Sequence, residues 1–103
     1  MLIKFKNEYL EKLFKGELVK GKPKFCDIVI VKFKKCVLIL KNVDNSVELS
    51  KFRGLNFEAL KGNKKGLYSI RVDDGYRLEF KLEKDSIELT EIAIIEKLSK
   101  HYT

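Results

Sequence analysis

The residues best suited to chemistry lie along one predicted β-hairpin. A three-residue turn at 73–75 places Arg71 opposite Arg77 on adjacent strands, with Gly75 supplying the left-handed conformation that closes such a turn. We favour this turn because a two-residue loop would put the apolar residues of the two strands on different faces of the sheet. Like charges directly opposite each other destabilise a sheet. The arginine pair therefore requires a negatively charged neighbour.

That neighbour can belong to the chain or to a ligand. The glutamates able to neutralise the arginines are Glu58, Glu79 and Glu88. Alternatively, two guanidinium groups offer bidentate hydrogen bonds to a phosphate, and a lysine-rich loop lies just upstream. Its lysines are Lys61, Lys64 and Lys65, and its glycines, Gly62 and Gly66, let the backbone approach a ligand. The loop lacks the spacing of a nucleotide-binding P-loop, and both interpretations of the arginine pair stay open.

Groups that could transfer protons near neutral pH are few in this sequence. His101 is the only histidine and stands beside Tyr102, and both side chain types serve as general acids or bases. Cys26 and Cys36 have no zinc-ligand spacing, and on one helix they would lie ~15 Å apart, too far to form a disulfide. We therefore expect no metal and no cofactor, and free thiols favour a reducing cytoplasm.

The spacing of apolar residues predicts the elements that hold these groups. Alternation predicts a short strand at Leu2–Lys6, and a helical period after the N-cap residue Asn7 predicts a helix over 7–15. Residues 24–41 are rich in β-branched residues, which favour a strand. Their apolar positions nevertheless recur at three- and four-residue steps over too long a run for one strand. We predict a second helix over 24–41 and a short helical turn over 46–51.

In the second half of the chain the apolar residues alternate, which predicts strands. Two strands are expected at Tyr68–Val72 and Tyr76–Leu82, and a third around Ile87–Leu89. After Thr90 the alternation slips, which predicts a β-bulge or burial on both faces. Residues 96–103 are polar and predict a C-terminal tail outside the sheet.

The order of these elements is typical of an α+β fold. We expect a short N-terminal strand and two helices packed on one face of a twisted antiparallel sheet of about four to five strands, followed by the polar tail. A length of 103 residues fits one domain spanning the whole sequence.

The charge is positive and unevenly distributed. The net charge is +7, and residues 1–41 alone carry eleven lysines against four acidic residues. Basic proteins are commonly drawn to nucleic acid. No apolar run approaches the ~18 residues needed to span a membrane, so we expect a cytoplasmic protein without a membrane partner.

One stretch carries a family resemblance. LKGNKKGLYSIRVDDGYRLEF, from Leu60 to Phe80, resembles the RelE/ParE superfamily of bacterial toxins. It is similar above all to the HigB-like branch, whose motif runs L-K-G-x-x-x-G-x-[YW]-S-[IV]-x-V and, after a turn, [YW]-R-[ILV]-x-F. The stretch FRGLNF, from Phe52 to Phe57, and the His-Tyr pair near the end also fit this branch.

The resemblance implies a RelE-like fold and a cytoplasmic toxin neutralised by a helix-turn-helix antitoxin of the HigA type within a hetero-oligomer. Free toxins of this branch enter the ribosomal A site and cut messenger RNA without a metal or cofactor, by attack of the 2′-hydroxyl on the adjacent phosphate. The implied catalytic residues are Lys61, Arg71 and Arg77 for phosphate, His101 and Glu58 for proton transfer, and Tyr102 for stacking on the nucleotide. The implied ribosome- or message-binding residues are Lys51, Arg53, Lys64 and Lys65.

Two departures from the family pattern keep other functions open. Glu58 stands where HigB-type sequences often carry a histidine, and the chain ends in Ser-Lys-His-Tyr-Thr rather than Asp-Tyr-His. The alternatives are a ParE-like inhibitor of DNA gyrase, which shares the fold, and a non-catalytic module that binds RNA or the antitoxin. The Lys-Gly and YSIRV motifs with the terminal His-Tyr pair favour the nuclease.

Overall fold

One five-stranded sheet and two α-helices make up the fold that the computed structural model describes for residues 1–100. The strands are β1 (Leu2–Phe5), β2 (Glu58–Ala59), β3 (Tyr68–Asp73), β4 (Tyr76–Lys84) and β5 (Glu91–Lys100). The helices are α1 (Glu8–Lys15) and α2 (Asp27–Asn42), and short 3₁₀ turns occur at Ser46–Lys51, Arg53–Leu55 and Gly62–Lys64. The strand order is β1-β5-β4-β3-β2. The predicted α+β class is confirmed.

Both helices form where the hydrophobic spacing predicts them, with α2 beginning at Asp27 rather than at residue 24. At the start of α1 the side chain of Asn7 accepts a hydrogen bond from the Leu10 amide at 3.1 Å, and Gly16 ends the helix in the left-handed conformation at φ 76°. The buried face of α2 consists of Val29, Phe33, Cys36, Val37 and Leu40. The three-to-four-residue period therefore outweighs the strand propensity of the β-branched residues. Within residues 1–100, neither helix is long and apolar enough to cross a membrane.

The sheet is mixed rather than wholly antiparallel. β1 pairs in parallel with β5, whereas β2, β3, β4 and β5 pair antiparallel in succession. Parallel neighbours need a long crossover connection, and here both helices lie between β1 and β5 in the sequence. The expectation of an antiparallel sheet is therefore wrong for β1, since a short strand carries no sequence signal for the direction of its partner.

Strand β5 explains why the hydrophobic alternation slips after Thr90. It lies between β1 and β4, and the adjacent residues Ile92 and Ala93, which point to opposite faces, are both buried. Further along, Glu79 pairs with Lys97 but Phe80 pairs with Ile95, so one residue of β5 is left over as a bulge. Of the two explanations offered for the slip, burial on both faces is correct, whereas the bulge lies further along the strand, at Glu96.

Two other expectations about this region are wrong. Ile87 and Leu89 are exposed residues of the β4–β5 connection, not a strand, because the Asp85 carboxylate accepts hydrogen bonds from the Ile87 and Glu88 amides at 2.9 Å and folds the chain into a turn. Residues 96–100 are not a tail but the second half of β5, paired with the start of β4. Most of these residues are polar because the strand has a hydrophilic outer face, and this composition resembles that of a tail.

The hairpin turn also differs from the expected one. Asp73 pairs with Tyr76, so the turn is the two-residue Asp74-Gly75, and the extra residue Val72 forms a bulge that returns both strands to the same phase. The Asp73 carboxylate accepts a hydrogen bond from the Gly75 amide at 2.9 Å, and Gly75 does not take the left-handed conformation. The turn is therefore stabilised by the Asp73 side chain as a hydrogen-bond acceptor, and not by a left-handed glycine as the sequence predicts.

The left-handed backbone of Leu89, at φ 59°, gives a testable consequence for stability. This conformation crowds any residue with a Cβ, so Leu89→Gly should raise the free energy of unfolding by about 0.5–1 kcal/mol. Ile87→Gly is the matched control in the same loop: Ile87 is also exposed but lacks the positive φ, so glycine should destabilise the protein there. Urea unfolding measures both, and equal losses in the two variants would contradict strain at Leu89.

Candidate functional site

The strand register brings polar residues into two rows on one face of the sheet. The first row crosses β2, β3, β4 and β5 and consists of Glu58, Ser69, Glu79 and Lys97. The second row crosses β3, β4 and β5 and consists of Arg71, Arg77 and Ser99. The residues between them on the strands, such as Ile70 and Leu78, belong to the hydrophobic core on the other face. The predicted pairing of Arg71 with Arg77 is confirmed.

Arg77 is buried, and its guanidinium group is held by protein groups from two directions. Its Nε donates to the Ser69 hydroxyl at 2.9 Å, and its Nη2 donates to the Asn56 carbonyl oxygen at 2.5 Å. The Glu58 carboxylate lies 3.6 Å from the same nitrogen. Asn56 reaches this position through a left-handed backbone at φ 45°, a conformation that asparagine tolerates. The guanidinium is therefore fixed in place before any ligand binds.

Arg71 lies on the same face but is partly exposed, and its guanidinium points toward the hairpin turn. Its guanidinium forms an ion pair with the Asp74 carboxylate in the hairpin turn. The two opposed arginines thus avoid each other by pairing with different acidic residues, Glu58 for Arg77 and Asp74 for Arg71. Glu79, which the sequence offered as a neutralising group, binds a lysine instead. The chain supplies its own counter-charges, and an anion is not required to explain the register.

Glu79 is the most deeply buried carboxylate of this face, with 4% of its surface exposed. It accepts hydrogen bonds from Lys64 Nζ at 2.8 Å and from the Ser99 hydroxyl at 2.7 Å. Burial acts to raise the pKa of Glu79, but the hydrogen bonds from Lys64 and Ser99 and the charges of Lys64 and Lys97 outweigh it, so the pKa lies below its ordinary value. The carboxylate stays ionised and attaches the lysine-rich loop to the sheet.

A basic cleft opens beside these rows, at the end of β5. Its volume is about 500 Å³. Its lining residues are Lys24, Phe25, Lys64, Tyr76, Lys97, Leu98, Ser99 and Lys100. The rings of Phe25 and Tyr76 meet edge to face, with centroids 5.6 Å apart, and form its apolar wall. Four lysines beside an aromatic wall provide charge for phosphates and a flat surface for a base.

The predicted lysine loop is divided between two clefts. Lys64 turns toward Glu79 and the basic cleft, whereas Lys61 and Lys65 line a second depression of about 450 Å³ on the far side of the loop. The glycines at 62 and 66 both have left-handed backbones, at φ 69° and 98°, which only glycine adopts readily. The three loop lysines therefore do not form one phosphate site.

Other candidate residues lie apart from this cleft or outside the described residues. Lys51 and Arg53 are exposed on the 3₁₀ turns before β2 and line neither depression. His101 and Tyr102 fall outside residues 1–100, which are those the structure describes. Among those residues, no group of three histidine, cysteine, aspartate or glutamate side chains is placed to hold a metal ion.

Sequence reasoning missed several residues of the basic cleft. The sequence predicts a tail at Lys97 and Lys100 and the start of a helix at Lys24, so it places none of the three beside Tyr76. A usable signal existed in the alternation of Leu98 with Lys97 and Ser99, which matches a strand with one polar face. Arg77 is held by Ser69 and by the carbonyl group of Asn56. The sequence gives no comparable signal for either of these partners.

Comparisons with known proteins bear on this geometry. A family model described as the RelE-like toxin of the type II toxin-antitoxin system HigB matches residues 3–92. A solved YoeB/ParE toxin from Agrobacterium tumefaciens superposes with a TM-score of 0.59 at 16% identity, covering 99% of this chain and 100% of that one. A YafQ mutant from E. coli superposes with a TM-score of 0.53 at 16% identity, covering 96% and 91%. No curated protein matches the sequence. At these identities the structural likeness establishes the fold alone.

Proposed function

Because this chain belongs to the HigB-like family of RelE-like toxins of type II toxin-antitoxin systems, we propose that it is an endoribonuclease that cuts translated messenger RNA in the ribosomal A site. Membership of this family implies an antitoxin partner. The observation that carries the proposal is the guanidinium of Arg77, fixed by Ser69 and Asn56 next to a cleft with four lysines. Such a preorganised cation is what a phosphate-cleaving site needs.

The proposed reaction is transesterification within the message. The 2′-oxygen forms a bond to the adjacent phosphorus, the bond from phosphorus to the 5′-oxygen breaks, and a 2′,3′-cyclic phosphate remains. A base takes the proton of the 2′-hydroxyl, an acid protonates the leaving 5′-oxygen, and cations stabilise the charge on the phosphorane. The reaction in this form needs three kinds of side chain and no metal or cofactor.

The described residues supply cations and one candidate base. Arg77 would contact the reacting phosphate, and Lys64, Lys97 and Lys100 would hold the neighbouring phosphates in the basic cleft. Glu58 is half-exposed and lies 3.6 Å from Arg77, so its carboxylate could take the 2′-proton beside the cation that binds the phosphate.

The remaining predicted residues keep the roles that the family resemblance gives them. We assign proton transfer to His101 and stacking on the nucleotide to Tyr102, which follow Lys100 in the sequence. Arg71 and Lys61 would contact phosphates flanking the scissile one. Lys51, Arg53 and Lys65 would contact ribosomal RNA or the message backbone, because they are exposed and basic.

One observation favours a second function, a module that binds RNA or an antitoxin without cutting. Arg77 already donates to three protein acceptors, the Ser69 hydroxyl and the carbonyl oxygens of Ser69 and Asn56, and lies near Glu58. This arrangement would also suit a purely structural arginine. A module of this kind would keep the lysines of the basic cleft and bind RNA with a strong dependence on salt. It would leave messages intact.

Induction of the protein in growing cells, with the 5′ ends of all messages mapped, separates these functions. The nuclease predicts new ends inside translated codons. A reporter message whose start codon has been changed is the matched control, because it is otherwise identical but is not translated and should stay intact. Intact reporters of both kinds would contradict the nuclease and favour the binding module. A change in DNA supercoiling without message cleavage would identify a ParE-like gyrase inhibitor.

A further inference from the structure

The side of α2 that faces away from the sheet carries exposed apolar residues. Ile28, Val31 and Leu38 expose 66%, 52% and 46% of their surfaces. The helical repeat places them on one side of α2, together with Lys32 and Lys35, and we call these five residues the outer face of α2. Scattered exposed apolar residues are ordinary on protein surfaces. A row of three on one helix, opposite a second apolar face buried in the core, indicates a contact with another molecule.

The outer face also carries two lysines, with Asp27 at one edge. A shallow depression of about 240 Å³ is lined by Asp27, Ile28, Val31, Lys32 and Lys35. Of the four lysines of α2, Lys32 and Lys35 belong to the outer face, whereas Lys34 and Lys41 lie to one side of it. Within residues 1–100 none of these four forms a salt bridge. The apolar row is thus interleaved with positive charges that the described chain leaves unneutralised.

The exposed apolar residues and the lysines of the outer face together indicate what kind of partner would bind there. A second copy of this chain would bring the same lysines together, which disfavours self-association. An RNA backbone would pair with the lysines but would leave Ile28, Val31 and Leu38 without apolar contacts. An amphipathic helix with apolar residues at three- and four-residue steps and glutamate or aspartate beside them satisfies both features.

We propose that the outer face of α2 is the docking surface for an acidic amphipathic helix of the antitoxin. The proposal rests on the membership of the chain in a toxin-antitoxin family, which implies the partner, and is independent of RNA cleavage. The two polar rows that contain Arg77 and Glu79 lie on one face of the sheet, and α2 packs on the other face, over the hydrophobic core. A partner docked on α2 therefore need not contact those rows.

The test is binding of the full chain to the antitoxin encoded by the adjoining reading frame, measured by isothermal titration calorimetry. Val31→Glu removes an anchor and adds repulsion, and we expect its Kd to rise about 10–100-fold. Lys32→Glu with Lys35→Glu should weaken binding similarly and abolish most of its salt dependence. Val47→Glu is the matched control, since Val47 is also an exposed valine but lies on the 3₁₀ turn after α2, and it should bind like the unchanged chain.

The possible results discriminate sharply. Unchanged affinity of Val31→Glu and of the double lysine variant, with thermal unfolding showing both folded, would overturn the proposal. So would a Val31-dependent dimer of the chain alone in sedimentation, or Val31-dependent binding to vesicles of anionic phospholipid. The binding measurement contains no RNA. Evidence against message cleavage would therefore not affect the docking result, and evidence against docking would not affect the proposed cleavage.

Discussion

Arg77→Ala is expected to lower the rate of message cleavage by about 10²–10³-fold, the range found when one group that stabilises transition-state charge is removed. The guanidinium is fixed by the Ser69 hydroxyl and the Asn56 carbonyl, so in the proposed reaction it would stabilise the phosphorane without reorganising. The measurement is the initial rate of cleavage of a translated reporter message by purified protein and ribosomes. An Arg77→Ala protein that stays folded and cuts at the normal rate would remove this residue from the site.

Two variants separate the role of charge from that of geometry. Arg77→Lys keeps the positive charge but loses the planar fork, so it should recover only part of the lost rate. Lys84→Ala removes an exposed lysine further along β4, and it should cut at the normal rate. Because Arg77 is buried, each variant also needs an unfolding curve, and only rates of proteins that remain folded at the assay temperature are compared.

The fold could be predicted from the sequence wherever the apolar residues followed a single helical or strand-like spacing. α2 follows from apolar residues three and four apart, and the opposition of Arg71 and Arg77 follows from matching the apolar faces of two strands. The hairpin turn was missed because two deviations cancelled: a turn shorter by one residue and a bulge at Val72 give the same register for Arg71. A pattern that reports only which face a residue occupies cannot distinguish these solutions.

The candidate site was less predictable because its partners come from distant parts of the chain. The sequence supplied the arginines and the lysine loop, but Asn56 contributes only a carbonyl oxygen, a group that every residue has. The parallel pairing of β1 with β5 is likewise a long-range event without a local signal. Lys97 and Lys100 line the basic cleft because residues 96–100 form the second half of β5, where the sequence predicts a tail.

The second large effect is expected at Glu79. Glu79→Gln keeps an acceptor for the Ser99 hydroxyl but loses the charge that holds Lys64, so it should lower the free energy of unfolding at neutral pH by about 1–2 kcal/mol. For a domain of about 100 residues each kcal/mol corresponds to about 4–8 °C in Tm. Urea unfolding at neutral pH measures the loss. Glu83→Gln, an exposed glutamate on the same strand, is the matched control and should change little.

The dependence of this loss on pH distinguishes an ionic role of Glu79 from a steric one. The pKa of Glu79 in the folded protein lies below its ordinary value of 4.5, so folding favours the ionised form. The carboxylate therefore contributes stability above the pKa of the unfolded chain, and that contribution disappears as the pH falls through the lower, folded pKa. The difference in unfolding free energy between the unchanged chain and Glu79→Gln should shrink over that interval. A difference that stays constant across it would mean that Glu79 stabilises the loop by packing and not by charge.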